Sequence, residues 1–128
     1  MMQMSPKKIL VVDDEEEVLT FVGNILKRAN YGVISTTRGK EAVELAKNQL
    51  PDMIILDIKM PDMRGSEVAV LLSENSSTAN IPIVFLTGIL DKKKEESLEK
   101  IPDKPHYVMI KPTTGEELLE AINKVLSG

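Results

Sequence analysis

Three carboxylates, one hydroxyl and one ammonium group each follow a short apolar run, and their chemistry suits phosphoryl groups. Asp13 and Asp14 follow ILVV, Asp57 follows MIIL, Thr87 follows IVFL and Lys111 follows VMI. The three carboxylates carry −3 and the lysine carries +1, which leaves −2. Crowded carboxylates take up a proton or bind a cation. Oxygen ligands favour Mg²⁺, which shares carboxylates with phosphate groups.

This set of residues predicts an aspartyl phosphate. A carboxylate beside a divalent cation and a lysine can attack phosphorus. Asp57 stands alone after its run and is the expected nucleophile, whereas Asp13 and Asp14 form a pair suited to hold the metal. Lys111 and the Thr87 hydroxyl would contact the phosphoryl oxygens. A single Asp in such a place could equally start a turn or cap a helix, so the prediction depends on convergence.

Convergence requires that the apolar runs be strands of one parallel sheet. The candidate strands are Ile9–Val12, Gly32–Thr36, Met53–Leu56, Ile83–Leu86 and Val108–Ile110. Helical periodicity marks segments around Val18–Ala29, Ala42–Ala46, Val68–Leu72 and Leu118–Leu126. Thr114 and Glu117 form a capping box before the last of these. Repeated βα units predict an α/β fold with a parallel sheet covered on both faces. The carboxyl ends of such strands share one edge, where ligand sites form.

Composition narrows the class of protein. The chain has 128 residues and fits one domain, with residues 1–7 expected to be a disordered tail and residues 8–128 the domain. The net charge of −4 argues against direct nucleic-acid binding, and the absence of cysteine excludes disulfides and thiolate metal sites. No apolar run approaches the roughly 20 residues of a membrane span, and no signal peptide is evident. We therefore expect a cytoplasmic location and no membrane partner.

The motifs that carry these residues resemble the receiver domain of two-component response regulators, of the chemotaxis-regulator type. They are ILVVDDE, DMIILDIKMPDMRG, VFLTG and IKP, and they occur in this order over nearly the whole chain. The resemblance implies a flavodoxin-like, doubly wound (βα)5 fold. Its five-stranded parallel sheet would have the order 2-1-3-4-5.

The resemblance also implies roles and partners in phosphorelay signal transduction. Asp57 would take a phosphoryl group from the phosphohistidine of a sensor histidine kinase or a histidine phosphotransfer protein. Asp13, Asp14, Asp57 and the Ile58 carbonyl would hold Mg²⁺. The chain would not be an enzyme beyond its own phosphorylation and dephosphorylation, and it would switch conformation to control an output partner or domain. We expect a monomer or a weak, phosphorylation-dependent dimer. A stand-alone receiver, a phosphoryl relay and a fragment of a longer regulator or hybrid kinase all stay open.

Other functions have weaker support from the residues. Aspartyl phosphatases share the architecture, but their D-x-D pattern fails because Lys59 lies two positions after Asp57. The nucleotide-binding P-loop fails because position 34 is Ile rather than glycine. A flavin-binding, flavodoxin-like domain without phosphoacceptor activity is the remaining alternative, and it would need neither Lys111 nor the Asp pair.

The region that would transmit the signal departs from the family pattern. Receivers usually carry an aromatic residue three positions before the lysine, but here Val108 has that position and Tyr107 precedes it. Because strand side chains alternate between faces, we expect Tyr107 to point away from the site unless a bulge restores the register. The charged segment 89–104, with a thin helical stripe, is then expected to carry the switch. The resemblance further implies a cis peptide between Lys111 and Pro112.

Overall fold

Short strands of mainly apolar residues form one parallel sheet, with helices on both of its faces. The computed structural model describes residues 6–88, 106–111 and 113–127. The strands are β1 (Lys8–Val12), β2 (Gly32–Thr36), β3 (Met53–Leu56), β4 (Ile83–Thr87) and β5 (His106–Ile110). The helices of the described part are α1 (Glu16–Arg28), α2 (Gly39–Gln49), α3 (Gly65–Ser73) and α4 (Gly115–Ser127).

The sheet has the order β2-β1-β3-β4-β5, and all neighbouring strands pair in parallel. This confirms the predicted α/β class and the 2-1-3-4-5 order. The register aligns the carboxyl ends, because Val12 pairs with both Thr36 and Leu56. The charged segment 89–104 and the cis peptide expected at Pro112 lie outside the described residues.

The core is divided by the sheet into two apolar layers. Alternate residues of each central strand point to opposite faces, as strand geometry requires, so Leu10 and Ile54 pack with α2 and α3. Ile9 and Ile55 instead pack with α1 and α4. Since both faces are covered, the central strands are apolar throughout, as parallel sheets require. Each fully buried aliphatic side chain contributes about 1.5–3 kcal/mol to folding.

The helices show both agreement with the sequence pattern and one departure from it. One of the two bonds of the predicted capping box of α4 is present, since the Glu117 amide donates to Thr114 Oγ1 at 3.1 Å. Leu71 was expected to share an apolar stripe with Val68, but it is 40% exposed while Val68 is fully buried. Only three of every seven positions of such a helix face the core, and Leu71 lies on the outer side.

The described part of the chain begins just before β1. Pro6 and Lys7 are exposed and irregular, whereas residues 1–5 of the expected tail lie outside the described part. The domain bounds of 8–128 stay a prediction. Among the helices described, none has the length and apolar character needed to cross a bilayer.

The turn between β3 and α3 requires glycine at position 65. The Gly65 amide donates to the Ile58 carbonyl at 2.8 Å and closes the segment between them. A Cβ at this position would lie 2.2 Å from the Asp57 carbonyl oxygen and 3.0 Å from the Ile58 Cα. Both obstacles are main-chain atoms, which a rotamer change cannot remove.

We therefore expect Gly65→Ala to lower the free energy of unfolding by about 1–3 kcal/mol, the usual cost of overpacking. Urea denaturation followed by circular dichroism measures this. Gly23→Ala in α1 is the matched control, because its added Cβ meets only Val33 Cγ1 at 3.9 Å. A helical alanine there should stabilise by about 0.5–1 kcal/mol. Equal stabilities of the two variants would contradict the steric argument.

Candidate functional site

Main-chain hydrogen bonds carry the sheet register beyond the strand ends and fix the two buried carboxylates. The Asp57 amide donates to the Val12 carbonyl at 2.9 Å, and the Asp13 amide donates to the Thr36 carbonyl at 3.3 Å. Asp13 and Asp57 therefore follow neighbouring strands in register. Their side chains are held by the sheet itself and not by a mobile loop.

The three predicted carboxylates converge. One oxygen each from Asp13, Asp14 and Asp57 lies within 4.8 Å of the others. Asp13 and Asp57 are buried, with 2% and 6% exposure, whereas Asp14 is exposed. An all-oxygen set that is buried on one side and open on the other fits Mg²⁺, which keeps several waters when it binds to proteins.

Lys111 provides the counter-charge, as its position after β5 predicts. Its Nζ lies 2.7 Å from Asp13 Oδ2, 3.6 Å from Asp57 Oδ2 and 3.7 Å from Glu15 Oε1. Its amide donates to the Thr87 carbonyl at 2.7 Å, which joins the ends of β4 and β5. One ammonium group thus faces three carboxylates.

The two buried carboxylates differ in how firmly they are held. Asp13 accepts at both oxygens, from the Glu15 amide at 2.9 Å and from Lys111 at 2.7 Å. Asp57 accepts a long bond from the Lys59 amide at 3.4 Å, and its other oxygen is 3.6 Å from Lys111. Asp57 is therefore the buried carboxylate that has the longer contacts with Lys111 and with the amide two positions after it.

Burial of these groups shifts their titration. Burial raises the pKa of Asp13 above its ordinary 3.8, against hydrogen bonds from Lys111 and the Glu15 amide that lower it. Burial also raises the pKa of Asp57, and the Asp13 charge adds to the rise. Burial alone would lower the pKa of Lys111, but its bond to Asp13 and the nearby negative charges outweigh this and raise it. Lys111 therefore stays charged, and burial makes the charged form of each carboxyl group less favourable.

Comparison with known proteins identifies the family. The sequence model of the family described as the response regulator receiver domain matches residues 9–123 of this chain. The chain belongs to this family. Protein PilH of Pseudomonas aeruginosa is 29% identical over 124 residues, covering 94% of this chain and 98% of PilH. Among solved structures, chemotaxis protein CheY4 of Vibrio cholerae has 29% identity and a TM-score of 0.86, covering 94% of this chain and 98% of CheY4.

A longer relative contains a similar domain. The alkaline phosphatase synthesis transcriptional regulatory protein PhoP of Bacillus subtilis is 39% identical over 95 residues. These residues are 74% of this receiver chain but only 37% of PhoP. The chain thus spans little more than a third of that regulator. The comparisons give no support to the flavin-binding alternative.

Two other predicted residues of the receiver site have different surroundings. Thr87 is fully buried at the end of β4. Beside it, a Cβ added at the exposed Gly88 would meet no atom within 4 Å among the described residues other than its chain neighbours. The Ile58 carbonyl already accepts the Gly65 amide at 2.8 Å. That bond occupies one of the two lone pairs of the carbonyl oxygen, and the metal-ligand role of Ile58 stays a prediction.

Sequence reasoning missed Glu15 as a member of the receiver site. Its carboxylate approaches Lys111, and its amide holds Asp13. The signal was present in the run DDEEE, where Glu15 directly follows the Asp pair. It was not recognised because the first residue of a helix-forming segment is usually a solvated charge.

The strand register confirms the offset of Tyr107 in this receiver domain. Val84 pairs with Tyr107 and Phe85 pairs with Val108. Strand β5 therefore pairs in parallel with β4 without a bulge over residues 106–110. Val108 packs with the α2 and α3 layer, whereas Tyr107 is 42% exposed. Residues 89–104, expected to carry the switch, lie outside the described part.

We expect Asp57→Asn to raise the melting temperature of the metal-free protein by several degrees at pH 7. The folded-state pKa of Asp57 is raised, so ionisation costs stability as pH rises from about 3.8 through the folded pKa. The amide removes this cost. Below pH 3.8 the carboxyl is protonated in both folded and unfolded states, and the difference should vanish.

Differential scanning calorimetry of wild type and variant between pH 3.5 and pH 8, about the range that spans this transition, measures the effect. Asp14→Asn is the comparison, because Asp14 is exposed and its charge is better solvated. It should raise the melting temperature less and weaken Mg²⁺ binding. A lower melting temperature for Asp57→Asn at pH 7 would mean that this carboxylate stabilises the fold.

Proposed function

We propose that Asp57 of this receiver domain accepts a phosphoryl group from a phosphohistidine in a Mg²⁺-dependent reaction. One observation carries the proposal. Asp57 is the buried carboxylate that shares the acidic cluster, faces Lys111 at 3.6 Å and has longer contacts than those of Asp13. The donor would be a sensor histidine kinase or a histidine phosphotransfer protein.

The reaction moves one phosphoryl group between two nucleophiles. An Asp57 oxygen forms the new P–O bond while the P–N bond of the phosphohistidine breaks and its imidazole leaves. Bound Mg²⁺ supplies positive charge to the phosphoryl oxygens, and Asp13 and Asp14 would hold it with Asp57. Water hydrolyses the same acyl phosphate later, so the chain catalyses its own phosphorylation and dephosphorylation.

Lys111 links the chemistry to a conformational change. The acyl phosphate would carry a charge of about −1.5 to −2, in place of the single negative charge of the carboxylate, beside the ammonium group that now contacts Asp13 at 2.7 Å. Lys111 would turn towards the new anion and release part of its contact with Asp13. The Thr87 hydroxyl would contact another phosphoryl oxygen. Because Lys111 and Thr87 join at the main chain, both strand ends would respond together.

Readout by a partner or output domain follows from this rearrangement. We propose that the chain acts in a two-component system through such a partner, as a monomer or a weak phosphorylation-dependent dimer. Its cytoplasmic location stays a prediction.

The phosphorylation site is tested with a small phosphodonor. With acetyl phosphate and Mg²⁺, wild type should gain the mass of one phosphoryl group, and chelation of the metal should prevent the gain. Asp57→Ala should gain none. Asp52→Ala, which removes an exposed carboxylate at the opposite edge of the sheet, is the matched control and should behave as wild type. An equal mass gain in Asp57→Ala would refute the assignment.

The offset of Tyr107 makes a second prediction about the phosphorylated state. The chain has two tyrosines and no tryptophan. In Tyr31→Phe, the tyrosine fluorescence therefore comes from Tyr107 alone. Loading with beryllofluoride, which mimics the phosphoryl group, should leave the quenching of Tyr107 by acrylamide unchanged. The methyl signals of Val108 should shift instead, because Val108 lies beside Phe85 on the other face. Burial of Tyr107 on loading would contradict this expectation.

A further inference from the structure

Helix α2 begins without a cap of its own. Its N-cap residue is Arg38, which has extended backbone angles and makes no capping hydrogen bond with its side chain. The first amides of a helix have no partner within it, and an Arg side chain has no acceptor to offer them. Another group must therefore satisfy the amides of Gly39 and Lys40.

Asp62 supplies the missing cap from a distant part of the chain. Its Oδ1 accepts from the Gly39 amide at 3.0 Å, and its Oδ2 accepts from the Lys40 amide at 3.1 Å. These two amides lower the pKa of Asp62, so the carboxylate is ionised at neutral pH. A negative charge also complements the positive end of the helix dipole.

Apolar contacts join the same two parts of the chain. A Cβ at Gly39 would lie 3.0 Å from Met63 Cβ, 3.1 Å from Val68 Cγ2 and 3.3 Å from Met60 Cε. Glycine at this position lets the segment after β3 approach α2 closely. Met60 and Met63 thus lie against the start of α2, beside the Asp62 cap.

Residues 58–64, which we name the acceptor loop, start immediately after Asp57. The loop is closed by the Gly65 amide on the Ile58 carbonyl, and its Lys59 amide donates to Asp57 Oδ1 at 3.4 Å. Asp62 is the point at which a pair of hydrogen bonds fixes this loop to another helix. Two residues, Met60 and Pro61, separate Asp62 from Lys59, whose amide contacts Asp57.

We infer that Asp62 is a positioning residue, which holds the acceptor loop on α2 and thereby orients Asp57 for Mg²⁺ and the phosphodonor. The inference rests on the proposed function of Asp57. The cap would act before any ligand binds, by reducing the number of loop conformations in which the Lys59 amide reaches Asp57.

The test compares Asp62→Ala with Asp52→Ala. Each substitution removes one exposed carboxylate that accepts hydrogen bonding from the main chain. Asp52 accepts a hydrogen bond from the Lys8 amide at 2.7 Å. Asp52 lies at the amino end of β1, away from the acceptor loop. Isothermal titration with Mg²⁺ should give a dissociation constant raised about tenfold for Asp62→Ala, the lower end of the range for residues that orient metal ligands. Asp52→Ala should match wild type.

Two further measurements separate positioning from a purely structural role. The rate of phosphorylation by acetyl phosphate should fall in Asp62→Ala at low Mg²⁺ and recover at saturating Mg²⁺. Amide hydrogen exchange should rise at Lys59 as well as at Gly39 and Lys40. Asp62→Asn, which keeps one acceptor oxygen, should fall between wild type and alanine and also serves if the alanine variant does not fold.

The outcomes distinguish this inference from the proposed function. Equal Mg²⁺ affinity in Asp62→Ala and Asp52→Ala, with exchange raised only at Gly39 and Lys40, would overturn the positioning role. Failure of wild type to gain a phosphoryl group would instead refute the function of Asp57. The Mg²⁺ titration and the exchange at Lys59 would then still decide whether Asp62 orients the site.

Discussion

Two buried carboxylates share one lysine, and the rest of the site depends on this imbalance of charge. Asp13 takes the closer contact with Lys111, while Asp57 is left with longer ones. Burial raises the pKa of both carboxyl groups, because the solvent that would stabilise their charge is excluded. A divalent cation held by these carboxylates, as proposed for Mg²⁺, would offset this imbalance of charge.

The fold tolerates the repulsion between Asp13 and Asp57 because both residues follow the most buried strands of the sheet. Asp13 and Asp57 follow β1 and β3, whose residues are buried on both faces apart from Lys8, and main-chain hydrogen bonds extend the register to each. The acceptor loop after Asp57 is equally constrained. Gly65 lies so close to the Asp57 main chain that a Cβ on it would clash. Rigidity of the framework is what allows two like charges to remain adjacent. Such local conflict with the fold is typical of functional sites.

Much of the fold and of the site could be predicted from the sequence. In a parallel α/β sheet, the residue that follows each apolar run lies at the same edge of the sheet. Apolar runs ending in Asp13, Asp57 and Lys111 predicted one shared edge, and the structure has these residues within contact of one another. The contribution of Glu15 could not be recognised, because a charged residue at a helix start is usually solvated. Tyr107 was assigned to the correct face because alternation along a strand is a strict rule.

The sequence by itself determined the fold class, the strand order and which charged residues share the carboxyl edge, since these follow from periodicity and from the family motifs. Only the tertiary structure decided how the shared charges are divided and what holds the loop that follows Asp57. Asp62 caps a helix that begins 23 residues earlier, at Gly39. Local sequence around Arg38 shows only that a cap is missing. Which distant carboxylate satisfies those amides depends on how β3 and α2 pack, and packing is a property of the folded chain.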